Sequence, residues 1–141
     1  MATTRTANTA WEGNLLQGKG TVTFSSSGIG AHPVSWPARS EEPNGVTSPE
    51  ELIAGAHSAC FSMALSGALA KAGHTATRIE TQADVTFEPG VGITGSHITV
   101  KGDVPGLDEA GFVAAAEDAK ANCPVSQAMT GTTITLTAGL L

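Results

Sequence analysis

One uncharged stretch constrains the fold of this chain more than any other part of the sequence. Residues 52–70 contain no Asp, Glu, Lys or Arg, and His57 and Cys60 are their only titratable side chains. A stretch of this length reaches the minimum for a membrane span, which is about 18 residues. It is, however, rich in Ala, Ser and Gly, follows two glutamates and has no flanking aromatic belt. The sequence therefore favours a buried helix of a globular protein.

Both ends of this helix carry boundary signals. Ser48 can cap the first turn, and Pro49 suits the first helical position. Glu51 lies three residues after the cap and completes a capping box. At the other end, Lys71 places a cation at the negative helix terminus and Gly73 follows it. The pattern predicts a helix that begins after Ser48 and ends near Lys71.

Side chains of two sizes form neighbouring ridges on this helix. The small residues, at four-residue spacing, are Ala56, Cys60, Ala64 and Ala68. The larger ones are Ile53, His57, Phe61, Leu65 and Leu69. Small residues let another backbone approach closely, so we expect a sheet on one side and a second helix on the other. A helix that is apolar on nearly all sides is hard to cover within one short chain. An intimate homodimer with two such helices back to back is therefore expected.

Composition narrows the class of protein. With 141 residues, 40% of them hydrophobic and 14% charged, the chain is expected to form a single domain, 1–141, with its own core. A net charge of −6 argues against nucleic acid or an anionic membrane as a partner, since both favour a basic face. No apolar leader opens the sequence, so a cytoplasmic location is expected. In the cytoplasm, a pair of cysteines is more often redox-active or free than joined in a structural disulfide.

The remaining segments predict an α+β domain. Alternating apolar and polar residues indicate strands over residues 3–11, 19–25, 77–88, 95–104 and 132–138. Residues 108–122 form a second helix with Phe112, Ala115, Ala116 and Ala119 on one face, and residues 125–129 form a short helical turn. Residues 34–40 are expected to be extended, because Pro37 confines them to an edge or loop.

The two cysteines are the candidate chemical groups. Cys60 lies inside the helix, where the dipole does little and apolar surroundings raise the thiol pKa. Taken alone, it reads as a small buried hydrophobe. Cys123 ends the second helix and precedes Pro124, and a buried thiol with a second one at a helix end fits a peroxidatic and resolving pair. A structural disulfide, or no contact between the two thiols, remains open from spacing alone.

Four segments of the sequence carry a family resemblance: PEELIAGAHSACFSMAL, NCPVSQAM and, near the start, AWEG and KGTV. Together they resemble the OsmC/Ohr family of osmotically inducible and organic-hydroperoxide-resistance proteins, and AWEG and KGTV point to its OsmC branch. The resemblance implies the OsmC-like fold, an antiparallel sheet packed on a long buried central helix in an intertwined homodimer. It also implies a cysteine-dependent peroxidase that reduces organic hydroperoxides and needs no metal, haem or other cofactor.

The resemblance assigns roles to four residues. Cys60 would attack the peroxide and become a sulfenic acid, and Cys123 would condense with it to a disulfide that an external dithiol, such as a lipoyl protein, reduces. Arg39 would keep Cys60 ionised, and Glu50 would pair with Arg39 to hold its guanidinium. Glu51 is the neighbouring candidate for that pairing, and the capping box is its plainer explanation.

Helix geometry bears on where Arg39 and Glu50 act. Glu50 precedes Cys60 by ten residues, which is about 15 Å along a helix axis. Glu50 cannot therefore contact Cys60 of the same chain. If Glu50 and Arg39 serve the thiol, we expect them to come from the other subunit.

Other readings of the same residues stay open. His57 precedes Cys60 by one helical turn, so the pair could be a protease-like nucleophile and base or two metal ligands, although a packing or hydrogen-bonding role is favoured. His32, His74 and His97 read as surface residues. A non-enzymatic dimeric module that binds small apolar ligands is the main alternative to a peroxidase. Preference for organic peroxides would need an apolar mouth, for which the candidates are Phe61, Trp36 and Met129.

Overall fold

The computed structural model describes residues Met1–Leu141, whose contacts form two compact units. Unit 1 is Met1–Leu52 and unit 2 is Ile53–Leu141. The elements of unit 1 are β1 (Asn8–Glu12), β2 (Lys19–Thr23), β3 (Ala31–Val34), α1 (Trp36–Ser40) and the start of α2 (Pro49–Lys71). The elements of unit 2 are the rest of α2, β4 (Arg78–Glu88), β5 (Gly92–Asp103), α3 (Glu109–Asn122), α4 (Pro124–Ala128) and β6 (Thr133–Leu140).

Unit 1 is built on a three-stranded antiparallel sheet in the order β1-β2-β3. β2 is the central strand, and its alternation places Gly20 and Val22 in buried positions while its other residues are exposed. The strands predicted over residues 3–11 and 19–25 are confirmed, with a later start for β1 and an earlier end for β2.

The prediction of an extended segment over residues 34–40 is wrong. Only Val34 is extended, as the last residue of β3, and α1 follows it. The Ser35 side chain caps this helix by accepting the Ala38 N–H at 3.2 Å. Pro37 lies in the first turn, where its missing N–H costs no helical hydrogen bond. The proline therefore helps to start a helix here instead of marking a strand edge.

Unit 2 contains a mixed three-stranded sheet in the order β4-β5-β6. β4 and β5 form the predicted antiparallel hairpin, but β6 pairs with β5 in parallel, from Gly95↔Thr133 to Gly102↔Leu140. The prediction of an antiparallel sheet is thus wrong for this pair. The cause is the connection: α3 and α4 separate β5 from β6, and a helical crossover of that kind returns the chain in the parallel direction.

The core of unit 2 lies between this sheet and its helices. Its buried members are Phe61, Leu65, Leu69, Ile98, Val100, Val104, Phe112, Ala116, Ala119 and Cys123. Most of the predicted apolar face of α3 is thereby confirmed. Phe112 packs directly against β5, where a Cβ atom on Gly102 would lie 2.5 Å from the Phe112 ring. Only glycine leaves room for the aromatic ring at this position.

The start of α2 follows the predicted cap with one change. Ser48 Oγ accepts the Glu51 N–H at 3.2 Å, as expected for an N-cap. The Glu51 carboxylate accepts a hydrogen bond from the hydroxyl of Thr47, the residue before the cap Ser48. Glu51 is therefore engaged in the local structure at the helix start, in keeping with its plainer explanation.

The buried side of α2 in unit 2 is one ridge. His57, Phe61, Leu65 and Leu69 are at most 2% exposed, whereas Met63 is 74% exposed. The single chain leaves one largely apolar face of α2 uncovered. The expected burial of this helix on nearly all sides includes a homodimer and stays a prediction. By length and composition α2 could cross a membrane, which is weak evidence because core helices of soluble proteins pass the same test.

Candidate functional site

The two thiols of unit 2 lie close together. Cys60 is half-buried on α2 and packs against the core cluster that contains the completely buried Cys123. Each thiol affects the pKa of the other. Neither forms a disulfide in this structure. Of the possibilities left open by sequence spacing, the structure therefore brings the thiols together in the reduced state.

Cys123 is positioned by the junction of two helices. Its N–H donates to Ala119 O at 2.9 Å and closes α3, while Pro124 begins α4 immediately afterwards. Its φ of −56° and ψ of 129° are non-helical, as the residue before a proline requires. This bend brings the first N–H groups of α4 near the sulfurs, where the Val125 and Ser126 N–H groups act to lower the thiol pKa of Cys123, although its sulfur forms no side-chain cap bond.

The surroundings shift the pKa values of the two thiols in opposite directions. Burial raises the pKa of Cys60, and its hydrogen bond with Cys123 raises it further, against a smaller opposing contribution from the Val125 N–H. Burial also acts to raise the pKa of Cys123, but hydrogen bonds from the Ser126 N–H, Cys60 and the Ser126 side chain outweigh it and lower that pKa. Within the single chain, the surroundings therefore disfavour the Cys60 thiolate, so an ionised Cys60 needs a further positive charge.

His57 is completely buried and bonded at both ring nitrogens. Nδ1 lies 2.8 Å from Ser96 Oγ, and Nε2 lies 2.8 Å from Ser126 Oγ. Burial lowers the pKa of His57, so the ring is neutral. The preferred prediction of a hydrogen-bonding role is confirmed, and with both nitrogens engaged His57 is not available as a metal ligand.

Ser96 and Ser126 are the residues that sequence reasoning missed. Ser126 had a local signal. It lies three residues after Cys123, which precedes the proline that begins a helix, and a side chain at this spacing lies near the N-cap residue. Ser96 had none. Its contact with His57 joins residues 39 positions apart and depends on how β5 aligns with α2.

Unit 1 holds the second pair of predicted site residues. Arg39 Nε and Glu50 Oε1 are 2.8 Å apart, which confirms the predicted ion pair. The Glu50 residue is only 7% exposed, and its Oε2 is buried without a hydrogen-bond partner. A buried carboxylate with one free oxygen is costly unless a cation is held against it, so the pair fixes the Arg39 guanidinium in place.

Arg39 also borders an apolar cavity of about 400 Å³ within unit 1. Trp36 from α1 lines it, together with other mainly apolar residues: Trp11, Leu15, Val22, Val34, Pro49 and Leu52. Of the three candidates for an apolar mouth, Trp36 thus lines a cavity. Phe61 does not, because it is completely buried in the core of unit 2. Met129 is half-buried.

The remaining histidines differ in exposure. His32 is exposed as predicted, whereas His74 and His97 are half-buried. His97 is bonded to Thr135 and Thr137 of the neighbouring strand β6. No group of three or more His, Cys, Asp or Glu side chains is arranged to hold a metal ion.

Known proteins resemble this chain in sequence and in fold. Residues 42–137 match the family model described as OsmC-like protein. Peroxiredoxin OsmC from Escherichia coli K12 is 45% identical over 122 residues, 84% of this chain and 85% of the relative, and the Shigella flexneri protein of that name matches equally. An organic hydroperoxide resistance protein from Elizabethkingia anophelis aligns over 100% of both chains with 25% identity and a TM-score of 0.73. In fold alone, an organic hydroperoxide resistance protein OsmC from Legionella pneumophila is similar, at 21% identity, 98% and 99% coverage and a TM-score of 0.75.

Proposed function

Because the chain belongs to the OsmC-like protein family, we propose that it detoxifies peroxides as a thiol peroxidase that reduces organic hydroperoxides to alcohols. The observation that carries the proposal is the closeness of two free thiols, Cys123 inside the core of unit 2 and Cys60 packed against that core. The names of the sequence relatives, all peroxiredoxins, support the peroxide chemistry.

The proposed cycle begins at Cys60. Its thiolate attacks one peroxide oxygen: an S–O bond forms, the O–O bond breaks, and the leaving alkoxide takes up a proton to give the alcohol. Cys60 is then a sulfenic acid. The sulfur of Cys123 attacks the sulfur of Cys60, the S–O bond breaks, and its oxygen leaves as water. An external dithiol reduces the disulfide and is itself oxidised, and a lipoyl protein is the partner that the family resemblance implies.

Cys60 needs a cation that unit 2 does not supply from its own residues. The four cations of unit 2 are Lys71, Arg78, Lys101 and Lys120. Arg78 pairs with Glu80 and Lys120 with Glu117, while Lys71 and Lys101 are exposed. A buried thiol with a raised pKa stays protonated without a positive charge nearby. Arg39, held by Glu50, is the proposed source of that charge.

We propose that Arg39 and Glu50 act across a homodimer, each pair serving the Cys60 of the other subunit. The uncovered face of α2 supports such an assembly, because an exposed apolar helix face is stabilised when a second copy covers it. The apolar cavity beside Arg39 supports a carbon-containing hydroperoxide as substrate in preference to hydrogen peroxide, since apolar walls favour apolar substituents.

The decisive experiment measures hydroperoxide consumption with a dithiol by the wild type, Cys60→Ser and Cys123→Ser. The wild type should turn over many times, Cys60→Ser not at all, and Cys123→Ser about once. Absence of consumption by the wild type would end the proposal.

Mixed dimers test where Arg39 acts. Chains with Arg39→Ala and chains with Cys60→Ser are each expected to be nearly inactive alone. If each site combines residues of two subunits, the mixed dimer regains about one working site. Lack of complementation would mean that each site is built within one chain.

The apolar cavity also favours a second candidate, a dimeric module that binds small apolar ligands without chemistry. In that case ligand binding would be independent of the thiols. Cumene binding to Cys60→Ser, combined with no hydroperoxide consumption by the wild type, would support this candidate.

A further inference from the structure

The buried ring of His57 joins three elements of unit 2. It lies on α2, and its two ring nitrogens bond Ser96 of β5 and Ser126 of α4, each at 2.8 Å. The three side chains are at most 3% exposed, so water does not compete for either bond. Each serine hydroxyl can donate or accept, and this bridge of Ser96, His57 and Ser126 therefore forms with either tautomer of the ring.

The bridge lies one helical turn from each thiol. His57 precedes Cys60 by three residues on α2, and Ser126 follows Cys123 by three residues, across the start of α4. Residues at this spacing are neighbours on one side of a helix. The bond between His57 and Ser126 thus connects the helix that carries Cys60 to the helix that Cys123 caps, beside the place where Cys60 packs against the core containing Cys123.

The two connected helices differ in how firmly the rest of unit 2 holds them. α2 is anchored in the core by three apolar side chains, Phe61, Leu65 and Leu69. α4 has only five residues, too few to form a stable helix alone, and Ser126 is its only buried residue. Cys123 forms no side-chain cap bond to α4. The position of α4 against α2 therefore depends largely on the bond between Ser126 and His57.

We propose that His57 is a positioning residue for disulfide formation: through Ser126 it holds α4, and with it Cys123, within reach of Cys60 while the two sulfurs are not bonded. The proposal rests on the proposed peroxidase cycle. There the sulfur of Cys123 attacks the sulfur of the Cys60 sulfenic acid, the S–S bond forms, the S–O bond breaks, and the oxygen leaves as water. A cysteine held in place reacts before a second peroxide molecule oxidises Cys60 to sulfinic acid.

A purely structural role of His57 makes a different prediction. In that role the two serines are equivalent, because each satisfies one nitrogen of a buried ring. In the proposed role they differ: Ser126 connects the ring to the helix that Cys123 caps, whereas Ser96 connects it to a strand of the core sheet. The bond to Ser126 and the disulfide should also favour each other, since each restricts α4 in the way that the other requires.

The test compares Ser126→Ala with Ser96→Ala, each of which removes one hydroxyl partner of the same ring. Each variant is equilibrated with mixtures of reduced and oxidised dithiothreitol, and the free thiols are alkylated and counted by mass spectrometry. Ser126→Ala should disfavour the disulfide of Cys60 and Cys123 about tenfold, which raises its reduction potential by about 30 mV for two electrons. Ser96→Ala should keep the equilibrium close to that of the wild type.

Ser62→Ala controls for the loss of an α2 hydroxyl, because Ser62 bonds Thr81 of β4 at 2.7 Å and lies outside the bridge. Its disulfide equilibrium should equal that of the wild type. Denaturant unfolding of the reduced proteins measures the structural contribution, and Ser126→Ala and Ser96→Ala should lose stability to a similar extent. Equal reduction potentials of these two variants, whether both unchanged or both raised, would overturn the inference.

No peroxide takes part in this equilibrium, so the experiment separates the role of His57 from the proposed function. A wild type that consumes no hydroperoxide, with the expected difference between the two serine variants, would refute the peroxidase and keep the role of His57. A wild type that consumes hydroperoxide, with equal potentials of the two variants, would refute the role of His57 alone. Thiols that form no disulfide in any mixture would overturn both.

Discussion

In the proposed peroxidase, the two units of this chain supply complementary groups. Unit 2 has two free thiols in and beside its core, with its own cations at the surface or paired with carboxylates. Unit 1 has no cysteine, but it holds a guanidinium against a buried carboxylate beside an apolar cavity. In the proposed mechanism each unit needs the other's groups, because a thiol with a raised pKa needs a cation to ionise at neutral pH.

The environments of the two units differ in kind as well. Cys123 lies among uncharged residues inside the packed core of unit 2. Around Arg39, a full charge is paired at a partly exposed position, with a side-chain exposure of 29%. The first arrangement keeps a reactive side chain away from water, whereas the second holds a positive charge where another group can approach it. This contrast predicts how substitutions in each unit should differ.

The largest expected effect separates the two sulfurs of unit 2. Cys60→Ser should lower hydroperoxide consumption by about a thousandfold or more, since it removes the nucleophile. Cys123→Ser should still reduce about one equivalent and then accumulate sulfinic acid at Cys60. Intact-protein mass spectrometry after one and after ten equivalents of peroxide distinguishes these outcomes. Equal behaviour of the two variants would contradict the separate roles.

The next effect concerns the cation of unit 1. Arg39→Met should lower kcat/KM by about a hundredfold, because the charge that favours the Cys60 thiolate is lost. Burial already raises the pKa of Cys60, so without Arg39 activity should appear only at higher pH. The measurement is the pH profile of kcat/KM. Arg5→Met is the control, since the Arg5 side chain bonds the neighbouring Thr4 carbonyl at the exposed N-terminal segment. A pH profile identical to that of the wild type would show that Arg39 does not act in the reaction.

A smaller effect tests the cavity of unit 1. Trp36→Ala should reduce kcat/KM for cumene hydroperoxide by about tenfold, because the aromatic wall of the cavity is removed. Hydrogen peroxide, which has no apolar substituent, serves as the internal control and should be affected less. If both substrates lose equally, Trp36 does not determine substrate preference.

The smallest effect is on stability and belongs to unit 2. Because the pKa of His57 is lowered in the folded state, the unfolded chain binds its proton more readily. His57 therefore contributes stability above about pH 6.5, the unfolded value, and this is lost as pH falls towards the folded pKa. His57→Gln should cost about 1–2 kcal/mol at pH 7.5.

Denaturant titrations between pH 5 and 8 measure this dependence. The free energy of unfolding should decline more steeply with acidification in the wild type than in His57→Gln. Parallel curves would mean that His57 titrates alike in the folded and unfolded states.

The parts of the fold that the sequence predicts are those with local causes. α2 is predicted because Ser48 and Lys71 mark its ends, and the hairpin of β4 and β5 because alternation and turn residues are contiguous. The helix α1 is missed because Pro37 fits both a strand edge and a first helical turn, and only the cap at Ser35 decides between them.

The parts of the site that escape prediction have long-range causes. The residues alone do not predict the ion pair of Arg39 and Glu50, which follows only from the family resemblance. They also leave the contact of Cys60 with Cys123 as one of several possibilities. The contact of His57 with Ser96 has no sequence signal, because it depends on packing between α2 and β5. The parallel pairing of β6 likewise depends on the path of α3 and α4, which residue alternation does not encode.

The close fit of Phe112 against Gly102 bears on Cys123, although neither residue touches it. Phe112 lies in the first half of α3 and Cys123 caps the end of the same helix, about 16 Å further along its axis. A methyl group at residue 102 would push the aromatic ring away from β5, and a close-packed interior passes such a shift along a rigid helix. The placement of the Cys123 sulfur thus depends on the lack of a side chain at residue 102, in a strand that contacts α3 three turns before its end.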